Sequence, residues 1–200
     1  KIHDRDKLRG SFKKLKVTRP PKSRKKSVSQ ENVNIQPGAQ STVQYESILL
    51  PSGAMWIESR KMTGGSRNIL DLSKKGKRDG VTKFGSVEYF GINKEDYSQE
   101  IDITLRYNGK DYIGNHVFYA PGNSNWRIRL NGETPNGDKL TDVFRENGSQ
   151  GKVFVFEKTG QEGLYNFHIL EDDLIPEMER NSSDYAWGGS GQGREYGIIS

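Results

Sequence analysis

From about Thr42 onward, short runs rich in Val, Ile, Tyr, Phe and Trp recur at roughly ten-residue spacing, parted by Gly, Asn, Asp and Pro. Such punctuation suits strands a few residues long joined by tight turns, as in sandwiches and small barrels. Glycine supports the same reading, because 23 of the 200 residues are too many for a helical bundle. The candidate strands are Thr42–Leu49, Ala54–Ser59, Ser86–Ile92, Glu100–Tyr107, Lys110–Tyr119, Trp126–Leu130, Lys152–Lys158 and Leu164–Glu171. The clearest hairpin turns at Asn108-Gly109, since that pair accepts the positive φ angles of a type I′ turn. Two short helices are expected, one over Leu140–Asn147 with Thr141 as N-cap, the other over Asp172–Arg180. The stretch 181–194 is poor in packing residues and reads as a surface arm anchored by Trp187.

Charge divides the chain. Residues 1–26 hold 12 Lys/Arg against 2 Asp/Glu, a net of +10, while the rest holds 19 basic and 24 acidic residues, a net of −5. Residues 1–41 therefore read as a basic linker or arm, and residues 42–200 as one β domain. The chain begins at Lys1 rather than Met, and Lys1–Lys16 reads as the tail of something earlier. Within the acidic body, Ser59–Arg78 carries seven basic residues against Asp71 alone, a local +6. A basic patch on an acidic body points to an oriented polyanion site. The absence of cysteine removes disulfides and thiolate metal sites and fits a reducing, cytoplasmic compartment. No run is long enough to span a membrane, so no membrane partner is expected.

The sequence offers little for catalysis. His3, His116 and His168 lie far apart, and His116 and His168 fall within apolar strand patterns, where a satisfied structural histidine is the better reading. Glu171-Asp172-Asp173 reads as a solvated turn, and the set Asp142, Glu157 and Lys158 matches a nuclease carboxylate motif only weakly. No catalytic residue, metal ligand or cofactor is assigned. Two segments instead carry groups suited to DNA. In Arg60–Ser73 a basic pair, Arg60-Lys61, precedes two glycines and then Ser66, Arg67 and Asn68. Glycines let backbone N–H groups reach phosphates, Arg can bind a guanine edge and Asn an adenine edge. In Phe118–Leu130 a Pro-Gly turn leads through Asn123, Ser124 and Asn125 into a strand where Trp126, Ile128 and Leu130 share one face and Arg127 and Arg129 the other.

The stretches MWIESRKMTGGSRNILDLS and ITLRYNGKDYIGNHVFYAPGNSNWRIRLNG, with the basic segment before them, resemble the C-terminal half of NgoAVII/NgoFVII-type restriction endonucleases. The resemblance spans about residues 45–200. It implies a seven- or eight-stranded open pseudobarrel with short helices. That fold is shared with plant "B-three" domains and with the recognition domains of BfiI and EcoRII, and here it would follow a phospholipase-D-like nuclease domain outside this chain. It further implies sequence-specific binding of double-stranded DNA by two arm loops in the major groove. By position, Arg60, Lys61, Ser66, Arg67 and Asn68 match one arm, and Asn123, Ser124, Asn125, Arg127 and Arg129 the other. Lys74, Lys75, Lys77 and Arg78 would touch phosphate only. The order Asn125-Trp126 reverses the Trp-Asn type signature of the plant counterparts, and the strand alternation turns Trp126 toward the core. The domain would act as a monomer on DNA in a bacterial cytoplasm, any homodimer forming through the nuclease domain. Two other readings stay open: a metal-dependent nuclease, and a carbohydrate-binding β-sandwich.

Overall fold

In the computed structural model the apolar runs become strands of one open sheet. The structure describes residues 50–60, 62–63, 67–189, 191 and 193–200, all within the unit 46–200. The expectations for residues 1–41 and for a strand over Thr42–Leu49 lie outside the described residues. In chain order the strands are β1 (Met55–Glu58), β2 (Ile69–Leu72), β3 (Gly76–Arg78), β4 (Val81–Lys83), β5 (Ile101–Tyr107), β6 (Lys110–Ala120), β7 (Asn125–Arg129), β8 (Lys152–Lys158), β9 (Leu164–Glu171), β10 (Ser182–Gly188) and β11 (Glu195–Ile199). Two short helices, α1 (Leu140–Asn147) and α2 (Ile175–Arg180), complete the fold. The fold is mainly β as expected, but among the described residues the sheet has eleven strands in place of seven or eight. Their order is β2-β7-β6-β5-β9-β8-β1-β11-β10-β3-β4. Among the described residues no helix is long and apolar enough to cross a membrane.

The β5–β6 hairpin forms where the Asn-Gly pair predicts it, with φ of 49° at Asn108 and 74° at Gly109. Its register sets Arg106 opposite Asp111, and the guanidinium donates to both carboxylate oxygens at 2.7 and 2.9 Å. The run KVFVFEK of β8 is apolar at successive positions because the strand is buried on both faces. Phe154 and Phe156 join the large core with Met55, Ile57, Leu105, Trp126, Phe167 and Tyr196. Val153 and Val155 join a smaller cluster with Trp56, Met178 and Ile199, which α2 helps to cover.

Three sequence expectations are corrected. The segment Ser86–Phe90 is a 3-10 helix and not a strand. Val87, Tyr89 and Phe90 are buried around an exposed Glu88, a spacing that imitates strand alternation, while Gly91 ends the turn in the left-handed region at φ 82°. Helix α1 has the expected span, but its N-cap is Lys139, so Thr141 lies inside the helix. The stretch 181–194 is no surface arm: β10 within it runs between β11 and β3 in the sheet, and β11 between β1 and β10. Gly197 makes this possible, because a Cβ there would stand 2.6 Å from the Trp56 indole nitrogen.

The sheet must curl. In the sheet order β2 and β3 stand nine neighbours apart, about 43 Å in a flat sheet at ~4.8 Å per strand. Only Ser73, Lys74 and Lys75 join them in the chain, a link that can reach about 14 Å at most. Strand β2 therefore comes round to face β10 and β3. The Gly189 N–H donates to the Lys75 carbonyl at 3.1 Å, and a Cβ on Gly188 would overlap the Ser73 hydroxyl at 2.1 Å. No ladder joins β2 to β10, so the curl leaves a seam.

Candidate nucleic-acid interface

A groove of about 690 Å³ occupies the seam. Four stretches far apart in sequence build it, the loop before β5 supplying Tyr97 alongside the three that follow. After β1 the chain folds back along β2, Thr63 and Ile69 exchanging backbone hydrogen bonds at 3.1 Å in each direction. This sets Arg60 near the Leu72 end of β2 and Arg67 beyond the Ile69 end. Strand β7 pairs antiparallel with β2, placing Trp126 opposite Leu72, so the turn before β7 arrives at the same end as Arg60. That turn is a single 3-10 turn over Pro121–Asn123 closed by Ser124 in the left-handed region. The third stretch is the glycine-rich turn from β10 to β11, contributing Gly188, Gly189, Gly193 and Arg194. Among the described residues the lining contains four basic ones, Arg60, Lys74, Lys75 and Arg194, against Asp71 alone, and an aromatic side of Tyr97, Tyr119 and Trp126.

Asp71 organises the groove. Its Oδ1 accepts from Asn125 Nδ2 at 2.9 Å and from Arg127 Nε at 3.0 Å, tying β2 to β7 across the register Asp71 opposite Arg127. Arg127 is held with its side chain 15% exposed. Arg60 donates from Nε to Glu58 at 2.6 Å. The Lys74 ammonium donates to Glu95 and to the Tyr97 hydroxyl, each at 2.6 Å, and these two bonds raise its pKa above the usual lysine value. Arg194 donates to the carbonyls of Ser59 and Glu58, and burial lowers its pKa from the ordinary arginine value. Beside it, burial first, then a hydrogen bond with Glu179 and the nearby Glu58, pushes the Glu195 carboxyl up to about 8.

Of the arm residues read from sequence, Arg60, Ser124 and Asn125 line the groove, and Asn123 lies exposed in the turn beside it. Asn68 is buried, its carbonyl accepting from the Leu130 N–H at 2.8 Å. Arg67 is exposed in a second, polar depression of about 600 Å³ with Phe144, Arg145 and Gln150. Arg129 faces outward with its guanidinium 5.0 Å from the Phe118 ring centroid. Lys61 and Ser66 lie outside the described residues. Among the expected phosphate contacts, Lys74 and Lys75 line the groove, Lys77 is exposed on β3, and Arg78 packs 3.6 Å over the Tyr185 ring. Trp126 is buried, as the strand alternation predicts.

Sequence reasoning missed Arg194, Tyr97, Tyr119 and the glycines of the β10–β11 turn. Their only early signal was the glycine density of 188–193, which is turn chemistry until the sheet curls. His116 is satisfied as expected, its two ring nitrogens 2.8 and 2.9 Å from Asp102 and Glu100, but it sits half-buried on the outer face of β6. Among the described residues no group of three or more His, Cys, Asp or Glu is placed to hold a metal ion.

Fold and groove together define a mainly β module with an open, curled eleven-stranded sheet and a basic seam. Neither protein-family models, nor curated proteins, nor solved structures give a match to the chain.

Proposed function

We propose that the chain binds double-stranded DNA in a sequence-specific way, through the seam groove and the loops at its rim. One observation carries this reading. Arg60 from the β1–β2 loop and Ser124-Asn125 from the β6–β7 turn line the same groove, together with Lys74 and Lys75. Phosphate oxygens suit the lysines, while the exposed polar side chains of Asn123 and Ser124 suit base edges. Asn125 and Arg127, both fixed by Asp71, set the pitch of that turn. Beyond them Arg129 and then Arg67 continue the basic line along the β2–β7 pair. The proposal extends to the architecture and the parent protein: a B-three-like pseudobarrel serving as the target-recognition half of a type II restriction endonuclease, with cleavage done by a nuclease domain elsewhere. The outward Lys75 and the +6 segment favour a polyanion over a sugar ligand.

The test is a salt titration of binding to a duplex selected from a random pool and to a scrambled duplex. Affinity should fall steeply with salt, log K decreasing linearly with log salt by about 0.9 per phosphate contacted. K75A should weaken both duplexes alike and reduce the slope by about one, whereas N123A should lower the preference for the selected duplex. Binding that ignores ionic strength would remove the reading. Cleavage of plasmid by this chain with magnesium would remove its binding-only part.

A further inference from the structure

We propose that the seam groove holds a single unpaired nucleotide, so that the protein favours duplexes carrying an extruded or bulged base; this rests on the DNA-binding reading above. Size is the first argument. A space of about 690 Å³ lies within the range of roughly 300–1,000 Å³ typical of small-ligand sites. It suits one nucleotide, whereas the body of a duplex, about 20 Å across, meets the groove only along its rim, where Asn123 and Lys75 are exposed.

The chemistry of the walls is the second argument. The Tyr97 and Tyr119 rings stand 4.3 Å apart, and Tyr119 meets the Trp126 ring edge-on at 5.5 Å. Trp126 is buried and anchors this stack, yet Tyr97 at its outer end stays 47% exposed. A rigid aromatic face backed by other rings and open on one side is a platform on which any base can stack. The Lys74 ammonium, bonded to the Tyr97 hydroxyl and to Glu95, lies 5.0 Å from the Tyr97 ring centroid, so the platform has a cation at its hydroxyl edge that a phosphate can share with Glu95. In the glycine-rich lining a Cβ on Gly189 would meet nothing within 4 Å, so the groove is open at that residue. Asn125 adds a polar reader. Its amide nitrogen is committed to Asp71, and its Oδ1 is a buried acceptor with no hydrogen-bond donor. An exocyclic amino group of adenine or cytosine would satisfy that oxygen once the groove wall shifts to admit it. Extruding a base from an intact duplex breaks stacking and pairing, whereas a bulged base is already free.

Fluorescence anisotropy on two labelled duplexes, identical except for one bulged adenine, tests the inference. The bulged duplex should bind about tenfold tighter, equivalent to ~1.4 kcal/mol. In Y97A the ratio of the two dissociation constants should fall to near one, and Y97F should retain it, with tryptophan fluorescence reporting that both variants fold. Equal affinity of the native protein for the two duplexes overturns this inference and leaves DNA binding standing. A ratio that survives Y97A also overturns it. Failure to bind either duplex overturns the DNA-binding reading and this inference with it.

Discussion

Replacing Asp71 should move stability and DNA affinity in opposite directions. One Asp71 oxygen accepts two hydrogen bonds, from Asn125 at 2.9 Å and from Arg127 at 3.0 Å. The pair is half-buried, with side chains 34% and 15% exposed. It therefore belongs between exposed ion pairs, worth about 0–1 kcal/mol, and hydrogen bonds to charged groups, worth about 1.5–3 kcal/mol. Screening at the more exposed carboxylate pulls the figure down, so D71A should destabilise by about 1–2 kcal/mol. At about 2–4 °C per kcal/mol for a domain of this size, the melting temperature should drop by roughly 2–8 °C. Among the described residues, the same change removes the one acidic side chain from a lining with four basic ones. A phosphate about 8 Å away in water-like surroundings loses a repulsion of about 0.5 kcal/mol, so affinity for a scrambled duplex should rise about two- to threefold. D71N should show the same gain in affinity with a smaller thermal loss, because its amide oxygen still accepts a bond. Thermal melting by tryptophan fluorescence and duplex binding at fixed salt measure the two effects. A folded D71N that binds scrambled duplex more weakly than the native protein would refute the basic-groove reasoning. A D71A melting point within 1 °C of native would refute the claim that Asp71 organises the groove.

The Glu195 carboxyl, pushed up to about 8, predicts a pH dependence whose sign follows from that direction. The folded state holds this proton more tightly than the unfolded chain, so the stability it confers is complete below about 4.5 and is lost as pH rises through about 8. E195Q, which cannot ionise, should flatten the fall in melting temperature between pH 5 and pH 9, and an unchanged slope would show that other groups cause it. G197A should destabilise by about 1–3 kcal/mol, since its new methyl would sit 2.6 Å from the Trp56 indole nitrogen and 2.8 Å from the Tyr185 Cβ. Denaturant titration reads that loss directly, and a midpoint equal to native would mean that β11 packs on β1 otherwise than described.

Much of the fold was legible because its determinants are local. The Asn108-Gly109 turn, the alternation of Trp126, Ile128 and Leu130 against Arg127 and Arg129, the spans of β8 and β9 and the length of α1 all follow from neighbouring residues. Local spacing also misled where two structures share a pattern, as in the 3-10 helix Ser86–Phe90. The charge concentration in Ser59–Arg78 was plain as well, and so was the presence of a polar turn before β7.

Which of those groups meet was decided by tertiary structure alone. Short strands such as β3, β4 and β11 gain their stability from long-range partners, so their own few residues carry almost no signal. The groove exists because a three-residue link pulls the two ends of an eleven-stranded sheet together, and no pattern within a segment encodes that curvature. Residues from Arg60 to Arg194 converge there through pairings far apart in the chain, and Arg67, read beside Arg60 in sequence, goes to the other end of β2. Periodicity and turn chemistry set each element; closure of the sheet, a property of all the pairings together, set the site.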